Sequence, residues 1–180
     1  MFSRLFCCSL ATDVISSEII PQHNSNTIRI FDIRPYISSD KLNLAESVPF
    51  VPPISSGLVI KVYDGDTFTL VSKLPYPDSP LYRFSVRLLG IDCPELKSKD
   101  ETEKSCAIIA RDELSRILLN KLVTLHNVQT EKYGRILANV YVDDLNVNKH
   151  MLEKRLAVEY DGKTKRNPEH WLQIVNGLKS

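Results

Sequence analysis

The sequence predicts an α+β domain in which five short strands close into a small barrel with helices on its flank. Two observations carry this: five short β-branched runs bounded by turn signals, and helical spacing inserted after the third and the fifth run. No internal repeat or low-complexity tract competes with it.

The elements follow in order. Leu58–Tyr63 is β-branched and short, Asp64-Gly65 is a turn pair, and Thr67–Val71 resumes a strand, which together read as a hairpin. From Arg83 to Ile91, Arg83, Ser85 and Arg87 alternate with Phe84, Val86 and Leu88 until Gly90, where a bulge or a close backbone approach is expected. Ser98 or Asp100 can cap a helix running to about Leu119, because Cys106, Ala110, Leu114, Ile117 and Leu118 share one face. Strands near Leu122–Val128 and Arg135–Val142 come next. A second helix starts at Asn146, with Val147, Met151 and Leu152 inward. A third has Asn167 as cap, Pro168 at its first position and Trp171, Val175 and Leu178 on one side.

The chain has 180 residues, 43% of them hydrophobic and 25% charged, which suits one soluble domain with a real core plus an appendage. The first 56 residues contain no glycine, and Val48–Ser56 holds three prolines and ends in two serines. The expected organisation is therefore a loosely structured N-terminal arm and linker over 1–56 and a domain over 57–180. Formal charge is only +1, so any site for a polyanion must be a local one. No apolar run reaches the roughly 18 residues of a spanning helix, and no membrane insertion is expected. Cys7, Cys8, Cys93 and Cys106 form no metal or disulfide spacing, which favours an intracellular protein. Cys7 and Cys8 beside Arg4 are a candidate lipidation pair, although unmodified thiols on a loose terminus are the simpler account. A monomer is expected.

Charge gathers where the barrel strands end: Asp64-Gly65-Asp66-Thr67, Arg87-Leu-Leu-Gly-Ile-Asp92-Cys-Pro-Glu95, and Glu131-Lys-Tyr-Gly-Arg135. Each alone has a bland explanation, as a hairpin turn, a polar loop or solvated arginines. Together, in this order and spacing, they resemble the staphylococcal nuclease family from about Gly57 to about Tyr160. The resemblance implies an OB-type five-stranded barrel with about three helices. It also implies a Ca²⁺-dependent nuclease that cuts DNA and RNA with little sequence preference and leaves 3′-phosphate ends.

By the same resemblance, one Ca²⁺ is held by Asp66, Asp92 and the backbone carbonyl of Cys93, where the best-known member has threonine. Glu95 falls at the general base, and Arg87 and Arg135 fall at the phosphate-clamping arginines. Lys132 and Tyr133 would touch the phosphate and sugar of a bound nucleotide, and Tyr160 would stack on its base, although Leu156–Lys163 lacks the paired tyrosines of the best-known member. The chemistry suits these residue types. Carboxylates and carbonyls are the oxygen ligands Ca²⁺ prefers, and arginine grips two phosphate oxygens at once. The rival reading is a catalytically inactive barrel that binds nucleic acid or protein, which loss of these carboxylates or arginines would mark. None is lost here.

Overall fold

The structure is a computed structural model that describes residues 47–162 and Trp171. The arm before residue 47, and the predicted cap Asn167 and Pro168 of the third helix, lie outside the described residues; Trp171 itself is helical and buried.

β1 (Ser56–Asp64) pairs antiparallel with β2 (Thr67–Ser72), and β2 with β3 (Tyr82–Leu88). The other edge of β1 takes β5 (Leu122–Thr130), which pairs with β6 (Ile136–Val142). A parallel pairing of β6 with β3 closes the ring, giving the five-stranded barrel that the sequence predicts. Two two-residue pairings complete it: β4 (Ile91–Asp92) with β8 (Val158–Glu159), and β7 (Leu145–Asn146) with β6. Such short elements carry no readable period, and the sequence did not predict them.

α1 (Glu101–Leu118) follows β4 and α2 (Val147–Glu153) follows β7. Asp100 caps α1 by accepting from the Thr102 N–H at 2.8 Å, while Ser98 accepts from Asp100 one step earlier. Asn146 caps α2. The predicted apolar face of α1 is buried, Cys106 included, and closes one side of the barrel over Phe68, Leu70, Val86 and Leu88. Each such side chain contributes about 1.5–3 kcal/mol by leaving water. No described helix is long and apolar enough to cross a membrane.

Two glycines differ from expectation in their reason. Gly65 does not need a positive φ; a Cβ there would lie 2.7 Å from the Ala110 Cβ and 3.0 Å from the Cys93 Cβ, so the hairpin tip packs directly on α1. Gly90 is the reverse case, with φ of 77° and open space around it, so it is a corner and not a close approach. The proline segment is also less separate than a linker: Ile54 is in the core, and the Leu125 N–H donates to the Ser55 carbonyl at 2.8 Å.

α1 and α2 are tied by Glu113, whose carboxylate meets Arg116 and the His150 Nε2, each at 2.8 Å. The Arg116 hydrogen bond, with help from His150 and against partial burial, lowers the Glu113 carboxyl from 4.5 to about 2. A depressed carboxyl stabilises the fold above its unfolded value and loses that contribution as pH falls through its folded one. The expected result is that the melting temperature of wild type exceeds that of Glu113→Gln at pH 6, and that the gap closes between about pH 4.5 and 2. A gap unchanged by acid would remove the pair from the stability of the helical flank.

Candidate active site

Register brings the site together. Thr67 lies opposite Arg87, and the Leu88 N–H donates to the Asp66 carbonyl at 2.9 Å, so the β1–β2 tip and the end of β3 meet. The Gly90 corner then turns the chain into β4 and returns Asp92 to the same place. Asn148 pins this corner: its Nδ2 donates to the carbonyls of Leu89 at 2.9 Å and Ala138 at 3.2 Å, and its Oδ1 accepts from the Val140 N–H at 2.9 Å.

Arg87 stands between the two aspartates. Its Nη1 is 2.6 Å from the Asp66 Oδ2 and its Nη2 is 2.6 Å from the Asp92 Oδ1. The Thr67 hydroxyl donates to the other Asp66 oxygen at 2.8 Å, and the Cys93 N–H donates to Oδ2 at 3.3 Å. Asp66 and Asp92 are only 3% and 4% exposed, and among the described residues the two carboxylates share one guanidinium, which leaves one negative charge over in a buried place. Burial, aided by the Asp92 charge, raises the Asp66 carboxyl above its usual range despite Arg87 and Thr67. For Arg87, burial opposes the charge, but the two aspartates outweigh it and raise its pKa.

The donor set fits a hard divalent cation. It offers two converging carboxylates with a surplus charge, in a site where such an ion would remove the electrostatic cost. Among the described residues no group of three or more His, Cys, Asp or Glu could hold a metal, so carbonyl and water oxygens would have to complete the shell. Cys93 contributes no thiolate. Its side chain is buried against Gly65, and burial, with Asp66 and Asp92 adding, raises the thiol well above its usual value. The Cys93 side chain thus packs against the hairpin tip while its N–H bonds Asp66.

The β5–β6 turn supplies a second cation. The Glu131 N–H donates to the Arg135 carbonyl at 3.0 Å, and Gly134, with φ of 79°, lets the turn close. The Arg135 Nε contacts the Glu131 carboxylate, and among the described residues nothing else binds its two terminal nitrogens. At the tip, Lys132 Nζ lies 4.9 Å from the ring centre of the exposed Tyr133. Tyr160, just after β8, is placed by its N–H donating to the Gly90 carbonyl at 2.9 Å.

All the predicted site residues line one cavity of about 770 Å³. Asp66, Arg87, Asp92, Cys93 and Glu95 come from the hairpin tip and the segment between β3 and α1, Lys132, Tyr133 and Arg135 from the β5–β6 turn, and Tyr160 from the end of β8. Thr67, Glu131 and Asn148 were given no role by the sequence reading. The first two sit inside the quoted motifs. Asn148 had a weaker signal, a polar residue beside Val147 and three before Met151 on the inward side of a helix.

Residues 85–176, just over half the chain, match the sequence profile described as "Staphylococcal nuclease homologue". This chain belongs to that family. The staphylococcal nuclease homologue match takes in Arg87, Asp92, Glu95, Arg135 and Tyr160; Asp66 precedes it and joins through its pairing with Arg87. The chain is 33% identical over 106 residues to an "Uncharacterized endonuclease" of Escherichia coli, covering 58% of this chain and 61% of that one. It is 34% identical over 102 residues to an "Uncharacterized endonuclease" of Haemophilus influenzae, covering 57% and 51% respectively. It is 31% identical over 84 residues to an "Uncharacterized 38.1 kDa protein" of Capnoides sempervirens, covering 47% of this chain and 23% of that protein. The chain thus spans less than two thirds of each of these relatives.

Proposed function

We propose that this chain is a metal-dependent nuclease that hydrolyses phosphodiester bonds of DNA and RNA with little sequence preference, using one Ca²⁺. The observation that supports it most is the convergence of Asp66 and Asp92 on Arg87 in one cavity with Glu95 and Arg135. Endonuclease names among its relatives agree with this reading. Residues 57–180 carry the activity in this proposal.

When bound by Asp66, Asp92 and the Cys93 carbonyl, Ca²⁺ supplies Lewis-acid polarisation of the phosphate. Arg87, paired with both aspartates, would bring its charge to the phosphate oxygens beside them. Arg135 grips the phosphate with its terminal nitrogens while Glu131 fixes its stem. Glu95 orients a water in line with the leaving oxygen and takes its proton. The new bond is oxygen to phosphorus, the bond to the 5′-oxygen breaks, and that oxygen receives a proton. The products are a 3′-phosphate and a 5′-hydroxyl. Lys132 and Tyr133 hold the flanking phosphate and sugar, and Tyr160 offers its ring to a base. A site that grips phosphate and metal, not base edges, has little sequence preference.

The test is cleavage of circular single- and double-stranded DNA, and of RNA, by the purified full chain with Ca²⁺, with Mg²⁺ and with chelator. Ca²⁺-dependent cutting whose ends prime a polymerase only after phosphatase treatment is expected. Binding without cutting in every metal would move the protein to the inactive binding class.

The metal has its own readout. Ca²⁺ at about 100 times its dissociation constant should stabilise the fold by about 2.7 kcal/mol. For a domain of this size that raises the melting temperature by about 5–10 °C. Asp92→Asn should abolish the rise, and wild type that melts identically with Ca²⁺, Mg²⁺ and chelator would remove the carboxylate pair as an ion site.

A further inference from the structure

At the start of β3, about 16 Å along the strand from Arg87, the barrel presents an apolar surface. Register assembles it. Leu122 lies opposite Leu58, Leu58 opposite Val71 and Val71 opposite Arg83, so these four side chains form one row on the outer face. Leu58 and Leu122 are exposed, Leu122 by 69%. The row ends at the β2–β3 loop, where Tyr76, Tyr82 and Leu81, the last 65% exposed, face solvent. None of these residues lines the active-site cavity.

The loop is braced in this shape. Pro75, Pro77 and Pro80 restrict its backbone, and the buried Ser79 hydroxyl accepts from the Leu74 N–H at 2.9 Å and donates to the Pro80 carbonyl at 3.1 Å. The Tyr76 and Tyr82 hydroxyls share a hydrogen bond of 2.6 Å, which brings the tips of the two rings together. A surface held in advance loses little freedom when a partner covers it. Single exposed apolar side chains need no explanation, but a contiguous set on a braced frame marks an interaction surface.

Charge is sorted around it. Residues 56–63, 67–77, 79–91 and 114–130 contain no Asp or Glu, so Asp78 is the one carboxylate in the stretches that form this end. Lys73, Arg83 and Lys121 are exposed here, and none has an ion pair among the described residues. Cations around leucines, with tyrosines between, match the layers of a lipid interface: leucines reach the acyl boundary, tyrosines sit at headgroup level, and Lys and Arg meet anionic headgroups. A nucleic acid would use the cations and rings but leave the leucines in water. We propose that this face docks the domain on an anionic membrane surface, with Leu81 and Leu122 entering the interface and Lys73, Arg83 and Lys121 against the headgroups. The protein lies on the bilayer without crossing it. Its active-site cavity then sits at the far end of β3, open to substrate. The proposal does not depend on the nuclease reading.

The test is flotation of the purified full chain with vesicles of phosphatidylcholine alone, and of phosphatidylcholine and phosphatidylserine mixed at about 7:3. Wild type should float with the mixed vesicles at about 0.1 M salt, not with phosphatidylcholine alone, and should release at about 0.5 M. Leu81→Ser with Leu122→Ser should lower the partition coefficient by about 10-fold or more. Lys73→Gln, Arg83→Gln and Lys121→Gln together should lower it by about 100-fold, at about 5-fold per cation. All five positions are exposed, so both variants should melt close to wild type. Wild type that floats with neither vesicle, or variants that float as well as wild type, overturn the proposal. In that event, weaker binding of a single-stranded oligonucleotide by the cation variant gives the face to nucleic acid, and a wild-type dimer split by the leucine variant gives it to a second copy.

Discussion

Replacing Glu95 by Gln is expected to lower kcat by about 10²- to 10⁴-fold while leaving the fold intact. Glu95 lines the active-site cavity three residues after Asp92 and is exposed. Its backbone is pinned from both sides: its N–H donates to the Glu103 carboxylate at 3.1 Å, and its carbonyl accepts from the Ser98 N–H at 3.1 Å. The side chain is thus presented by a fixed turn, the condition for orienting a water in the reactive direction. Glutamine keeps the shape and loses the basic oxygen, so the deficit appears in the chemical step and not in substrate binding. An exposed substitution of this kind changes stability by only about 0.5 kcal/mol. Single-turnover cleavage at saturating metal, beside a urea melt of each protein, checks both halves. A folded variant with near-normal turnover would take the general-base role away from Glu95.

Much of this arrangement was legible because it is written in local pattern. Alternation along Arg83–Leu88 put Arg87 and Val86 on opposite faces, and the apolar spacing of Cys106, Ala110, Leu114 and Leu118 put α1 on the barrel. Charge at strand ends marked Asp66, Arg87, Asp92, Glu95 and Arg135, which now line one cavity. What escaped depends on distant contacts. The pairing of β4 with β8, which carries Tyr160 to the cavity, joins two-residue segments far apart in sequence. The need for glycine at position 65 comes from Ala110, a residue on another element. Nor did composition reveal that Arg87 holds both aspartates; that follows only from the parallel closure of β3 on β6 and the Gly90 corner.

Removing Arg87 should separate structure from catalysis in a way that removing Arg135 does not. Arg87→Ala leaves Asp66 and Asp92 buried with no partner cation, a change that typically costs about 3–5 kcal/mol. Arg135 is about a third exposed and among the described residues pairs with Glu131 alone, so Arg135→Ala should cost about 1 kcal/mol or less. On cleavage the two should resemble each other, each losing about 10²- to 10³-fold through weaker stabilisation of the charge that develops on phosphate. Added Ca²⁺ sharpens the distinction. In wild type a bound ion would share the two aspartates with Arg87, whereas in Arg87→Ala it would meet a bare pair of carboxylates whose mutual repulsion it would relieve. Ca²⁺ should therefore restore much of the stability lost in Arg87→Ala and add nothing extra to Arg135→Ala beyond the wild-type increment. Arg87→Lys should fall between, since one ammonium cannot span both aspartates as a planar fork does. Urea melts of the three variants with Ca²⁺ and with chelator, read against single-turnover rates, decide the matter. If Arg87→Ala is no less stable than Arg135→Ala in chelator, or if Ca²⁺ lifts both equally, then the aspartate pair is not held by Arg87 in solution.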